Sequence, residues 1–211
     1  MKAAIQKLLQ KYPELSSCVP DIEKAFDILK ESFQKGGKVL LCGNGGSAAD
    51  CDHIVGELMK GFLLKRPIDA AFKKKLEKVA PNDAAYIAEY LQGALPAISL
   101  VSHSAFLSAF SNDVSPDLVF AQQVFGYGKE GDVTIGLSTS GNSDNVIYAL
   151  QVARAKGLKT IGLTGRSGGA MSEICDVTIK VPRDLTPDIQ ELHLPIYHTL
   201  CILLEEEFFG K

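Results

Sequence analysis

The cysteines of this 211-residue chain are few and unpaired by motif. There are five, Cys18, Cys42, Cys51, Cys175 and Cys201, an odd number without a C-x-x-C pair. That pattern argues against a disulfide framework or a cysteine zinc site and predicts reduced thiols in the cytoplasm. Long apolar runs are also missing. Nothing approaches the roughly 18–20 residues needed to cross a bilayer. The opening segment, Met1-Lys2-Ala3-Ala4-Ile5-Gln6-Lys7, turns polar too soon for a signal-peptide core. A membrane is therefore not an expected partner. Nor is there a basic excess, because 22 Lys and Arg against 25 Asp and Glu leave a formal charge of −3. The one basic cluster, Lys73-Lys74-Lys75, has acids on both sides and reads as a solvated helix face. Nucleic acid is not an expected partner either.

What is present is ordinary globular composition, 46% apolar and 22% charged. That is enough for one packed core. With roughly 150 residues per domain as a prior, residues 1–211 read as a single domain. Helices are expected over 2–11 and 21–35, the second carrying Ile22, Ala25, Phe26, Ile28 and Leu29 and ending at Gly36-Gly37. Short apolar strands are expected at 39–42, 97–101, 132–137, 159–163 and 176–181. A helix over 143–156 and glycine-rich turns between these strands make βαβ units and a mainly parallel sheet. Residues 187–209 read as one long buried helix, with Pro195 expected to bend or break it. The segment 68–95, rich in Lys, Ala and Glu, reads as an inserted pair of short helices around Pro81-Asn82-Asp83.

Two strand-to-helix loops carry the chemistry. Gly43-Asn44-Gly45-Gly46-Ser47 permits close ligand approach and presents a helix N-terminus. It is not G-x-G-x-x-G, since residue 48 is alanine, and it lacks the Gly-Lys-Ser/Thr of a P-loop. A nucleotide cofactor is not expected. Ser138-Thr139-Ser140-Gly141-Asn142-Ser143 places four hydroxyls at a helix N-terminus, which suits a phosphate monoester. The competing reading is a serine cap, but one cap needs one hydroxyl. Both loops leave the carboxyl edge of the sheet, where open α/β folds bind ligands. Ser111-Asn112-Asp113 is a third candidate at that edge, either for sugar hydroxyls or as a plain turn.

Three of only four histidines lie in two segments. His53 and Glu57, four apart on one helix, share a face and suit metal binding or acid–base work, although such pairs also arise by chance. The terminal helix carries Gln190, Glu191, His193 and His198. Gln190 and His198 are separated by about 80° around an ideal helix. His198, set in an apolar stretch, reads equally as a core histidine.

Taken together, Gly43–Ser47, His53-x-x-x-Glu57-Leu58, Ser111-Asn112-Asp113, Gly131-Asp132-Val133, Ser138–Ser143, Leu163-Thr164-Gly165 with Gly168-Gly169, and Ile189-Gln190-Glu191 with His193 and His198 resemble the SIS (sugar isomerase) domain family. Within that family the chain looks most like the phosphoheptose isomerases, over about residues 20–208. The resemblance implies a three-layer α/β sandwich, with a five-stranded parallel sheet between helices. It implies a homotetramer with interfacial sites, and aldose–ketose isomerisation of sedoheptulose 7-phosphate through an enediol. It further implies zinc held by His53, Glu57, Gln190 and His198. Asn44, Gly45, Gly46, Asn112, Asp113 and Gln190 would contact the sugar, and Ser138, Thr139, Ser140 and Ser143 the phosphate. Glu57 and His198 would be the catalytic base and its acid–base partner. Two departures stand out: Lys60-Gly61-Phe62 replaces a more basic stretch, and the insertion 68–95 is absent from shorter members. The rival implied functions are a non-catalytic adaptor of the same fold, whose members typically lack the carboxylate and histidine, and an isomerase of another sugar phosphate.

Overall fold

The computed structural model describes residues 2–210. Two N-terminal helices, α1 (Lys2–Lys11) and α2 (Val19–Gln34), are joined by a 3-10 turn over Pro13–Cys18. Pro20 sits in the first turn of α2, where its missing N–H costs nothing. Ile22, Ala25, Phe26, Leu29 and Phe33 form the buried face of α2. The helix stops at Gly36, whose φ of +77° is a conformation that favours glycine.

Five parallel strands follow: β1 (Val39–Gly43), β2 (Ala97–Ser99), β3 (Val133–Leu137), β4 (Lys159–Thr164) and β5 (Val177–Lys180). Their order in the sheet is β2-β1-β3-β4-β5. The register pairs Val39 with Ala97 and Val133, Val133 with Lys159, and Ile161 with Val177. The expected strands all form, with ends within a residue or two of the expected ones. They are apolar on both faces because both faces are covered. Val39 and Leu41 of β1 point to one layer, with α2, α3 (Gly46–Met59) and α10 (Thr186–Phe209). Leu40 and Cys42 point to the other, with α7 (Val119–Tyr127) and α8 (Asp144–Ala155). This is the three-layer α/β sandwich expected from the sequence.

Residues 70–90 form two short helices, α4 (Ala70–Val79) and α5 (Ala84–Tyr90). An antiparallel bridge between Pro67 and Gln92 closes their base, with Gly93 N–H donating to the Arg66 carbonyl. No residue of α4 is buried, so this segment adds little to the core. Helix α6 (Ser104–Asp113) follows β2, and the short α9 (Met171–Ile174) precedes β5.

Of the bend or break expected at Pro195, the break does not occur. The helix runs from 186 to 209 through Pro195 without a break. Pro195 forfeits one backbone bond, yet it and Leu192, Ile196, Thr199 and Leu200 are buried, so packing on both sides holds the helix together.

The chain leaves β1 toward β2 and later returns to β1's other side as β3. That reversal is a topological switch point, and the loops after β1 and β3 flank the crevice it opens.

Candidate active site

Each of the two loops begins a helix that has no side-chain cap. Gly45, with φ of +56°, stands at the N-cap of α3, and Ser143 at that of α8. The cap reading of Ser143 is therefore not what the structure shows. Its hydroxyl lies 2.9 Å from that of Ser138, which is also 3.5 Å from the hydroxyl of Ser140. Thr139 Oγ1 reaches Thr186 Oγ1, at the start of α10, at 3.5 Å. Converging hydroxyls and a free helix N-terminus are what a phosphate needs.

The serine loop is held from behind. Gly141 has φ of +68°, and a Cβ there would lie 2.1 Å from the Gly168 carbonyl oxygen. Asn142 Oδ1 accepts from Ala170 N–H, and Gly141 O accepts from Met171 N–H. The two loops are also joined to each other. Asn44 and Asn145 exchange reciprocal amide bonds of 2.9 and 3.0 Å across 101 residues of chain.

The acid–base groups come from α3 and α10. His53 Nε2 lies 3.4 Å from His198 Nε2 and 3.5 Å from Glu57 Oε1. Phe62 covers the His198 ring, with centroids 5.3 Å apart. Burial lowers the pKa of His198, the nearby His53 lowers it further, and Glu57 opposes both. The shift favours the neutral ring over the charged one. The Glu57 side chain is 13% exposed, and its Oε2 accepts from Lys60 Nζ at 2.8 Å. Lys60 is therefore the direct partner of the candidate base.

The core histidine of α10 is His193, not His198. His193 is fully buried, its Nε2 lies 3.3 Å from the Thr164 carbonyl, and its Nδ1 has no partner. Burial pushes its pKa down to about 4, with the Thr164 contact opposing.

The candidate metal donors can be tested on the same distances. Tetrahedral zinc with arms of about 2.0–2.1 Å separates neighbouring donors by about 3.3–3.4 Å. The His53–His198 and His53–Glu57 separations match two such edges. Among the described residues no group of three or more His, Cys, Asp or Glu side chains is placed to hold a metal ion by itself. The fourth expected donor, Gln190, lies over the glycine loop, where a Cβ on Gly46 would meet its Nε2 at 2.7 Å. The donor types, imidazole nitrogen with carboxylate and amide oxygen, are ones zinc accepts, and two of the donor separations match its edges.

Asn112 and Asp113 are placed differently from the rest. They end α6, exposed, and bond to each other at 2.8 Å. Among the described residues no side-chain hydrogen bond links them to the loops or to His53.

Sequence reasoning missed Asn145, Tyr197, Asp50 and Arg66. Tyr197 OH bridges His53 Nδ1 and Asp50, each at 3.0 Å. Arg66 and Glu205 form a buried ion pair at 2.8 Å. Asn145 sits beside a motif that was read, so its polar side chain at a helix start was the available signal. The others have none, because their partners are distant in sequence. The thiols take no visible part: burial pushes Cys42 and Cys201 up to about 12. No described helix is long and apolar enough to cross a membrane.

Comparison with known proteins identifies the family. A family model described as SIS domain matches residues 3–93 and 77–165. The phosphoheptose isomerase of Rhodospirillum rubrum is 39% identical over 206 residues, covering 98% of this chain and 96% of that protein. That of Aliarcobacter butzleri is 41% identical over 212 residues, covering 98% of each. Among solved structures, the phosphoheptose isomerase of Neisseria gonorrhoeae is 31% identical with a TM-score of 0.75, covering 97% of this chain and 96% of that one. The chain belongs to the phosphoheptose isomerase family of SIS-domain proteins.

Proposed function

We propose that this protein interconverts sedoheptulose 7-phosphate and D-glycero-D-manno-heptose 7-phosphate through an enediol, at the crevice between the loops after β1 and β3. The observation that carries the residue assignment is the meeting of His198 with His53, which in turn lies beside Glu57. The adaptor reading predicts no such acid–base set.

The phosphate is held by the hydroxyls of Ser138, Thr139, Ser140 and Ser143 with the N-terminus of α8. No cation is required for that geometry. Asn44, Gly45, Gly46 and Gln190 line the sugar side, and Gln190 over Gly46 restricts how the chain of hydroxyls enters. Glu57 removes the proton from the carbon beside the carbonyl and returns it to the neighbouring carbon. His198 moves the proton between the two oxygens. Lys60 Nζ, 2.8 Å from Glu57 Oε2, holds the carboxylate from one side and leaves Oε1 facing His53. His53, Glu57, Gln190 and His198 would hold a zinc ion, whose chemistry is polarisation of sugar oxygens. Direct coordination by Glu57 would weaken it as a base, so the two roles compete.

Asn112 and Asp113, exposed and apart, belong to this reading as sugar contacts across a subunit boundary. A homotetramer is the assembly it calls for, and the exposed apolar side chains Val114, Leu118 and Phe125 are surfaces such an assembly could cover. The cytoplasm is the proposed location.

The test is an assay of purified, zinc-supplied protein with sedoheptulose 7-phosphate, separating products by chromatography and mass. Formation of the aldoheptose phosphate supports the reading. Binding without turnover points to another sugar phosphate, and no binding by folded protein overturns it.

A further inference from the structure

We infer that Asp50 and Tyr197 are positioning residues which, through one directed hydrogen-bond chain, set the tautomer of His53 and aim its Nε2 lone pair at Glu57 and His198. The inference deepens the reading of this site as acid–base and metal machinery, and rests on it for its functional meaning.

Tyr197 is 2% exposed, and its ring packs edge-on to His53 with centroids 5.5 Å apart. A phenol has one proton to give and also accepts. Here Tyr197 OH donates to Asp50 Oδ1 at 3.0 Å. Its remaining contact, His53 Nδ1 at 3.0 Å, must then be one in which the oxygen accepts. Nδ1 carries the proton, and Nε2 of the neutral ring is left bare. That is the nitrogen 3.4 Å from His198 Nε2 and 3.5 Å from Glu57 Oε1. The opposite tautomer would put an N–H at the centre of the cluster and block it as a donor atom. His53 is itself exposed, so packing alone does not hold its ring. Asp50 and His53 are three residues apart on α3, while Tyr197 comes from α10. The chain of bonds therefore also ties the two catalytic helices together.

Removing either link has a different signature. In Tyr197→Phe the ring still fills its place, but His53 loses the acceptor for its Nδ1 proton. In Asp50→Ala the phenol stays and loses its own acceptor. Its proton then turns toward His53 Nδ1, and the imidazole proton moves to Nε2.

The experiment is nitrogen NMR of labelled imidazoles in the metal-free protein at a pH where His53 is neutral, together with zinc affinity by competition and thermal melting. The expected results are one Nδ1–H tautomer of His53 in wild type, a mixture in Tyr197→Phe, and the Nε2–H form in Asp50→Ala. Zinc affinity should fall by about 10–100-fold in both variants, the usual effect of losing such an outer partner. The Phe variant's melting temperature should be nearly unchanged. An unchanged His53 tautomer in both variants overturns the inference, as does zinc affinity within twofold of wild type in both. If wild type binds no zinc, the tautomer measurement still decides the inference, and only the metal assignment fails.

Discussion

Arg66→Met tests how the active-site helix α3 is anchored. The Arg66 side chain is fully buried against Glu205. Its Nε bonds Glu205 Oε1 at 2.8 Å, Nη1 bonds the Leu58 carbonyl at 2.8 Å, and Nη2 the Glu57 carbonyl at 3.0 Å. The guanidinium also lies 4.7 Å from the Phe209 ring centre. Glu205 in turn accepts from the N–H groups of Phe62, Leu63 and Leu64. One α10 carboxylate thus holds the loop after α3, and one arginine holds the last turn of α3 itself.

Methionine fills the space but leaves a buried carboxylate without its cation and takes a donor from the Glu57 and Leu58 carbonyls, of which Leu58 keeps the N–H of Leu95. Breaking a buried pair from one side costs about 3–5 kcal/mol. In a chain of this size each kcal/mol shifts the melting temperature by about 2–4 °C, so a fall of about 6–20 °C is expected. Calorimetry at neutral pH measures it. Burial raises the Glu205 pKa, but the N–H groups of Phe62 and Leu63 and the charge of Arg66 outweigh it, so the folded value lies below the usual one. A depressed carboxylate stabilises above its unfolded pKa and loses that contribution as pH falls through its folded value. The gap between wild type and variant should therefore narrow below about pH 4. Because the Glu57 carbonyl loses its anchor, kcat should fall more than KM rises. A melting temperature within 2 °C of wild type, with unchanged kcat, would refute this account of the anchor.

Other outcomes follow from single contacts. Glu57→Gln should lower kcat by about 10²–10⁴-fold while sugar phosphate still binds by calorimetry, as removal of a general base does; full activity would remove Glu57 from that role. Gly141→Ala needs a strained φ and a 2.1 Å approach to Gly168 O, so KM for the phosphorylated substrate should rise steeply in steady-state assays. Asn145→Ala unlinks the two loops and should cost about 1 kcal/mol, read as a severalfold rise in KM. His193→Gln removes a buried neutral histidine whose pKa is about 4. Wild type should lose stability as pH falls from about 6.5 toward 4, where only the unfolded chain gains that proton, and the variant should lose less in acid unfolding.

The layers and the strand set were legible locally. Apolar runs such as Val39-Leu40-Leu41-Cys42 between glycine turns admit few arrangements other than buried parallel strands. The loops Gly43–Ser47 and Ser138–Ser143 could be read because their function lies in backbone and hydroxyl chemistry that neighbouring residues supply together. The same holds for the i,i+4 pair of His53 and Glu57. Only tertiary structure decided which histidine of α10 joins them. His193 and His198 are both embedded in apolar sequence, and the packing of α10 against α3 and β4 turns one into the core and the other to His53. Tertiary structure also brought Asn145 to Asn44, Tyr197 to Asp50, and Arg66 to Glu205. A hydrogen bond across 100 or more residues leaves no periodic trace in sequence. Its energy depends on desolvation and geometry that exist only once the sheet has brought the two segments together.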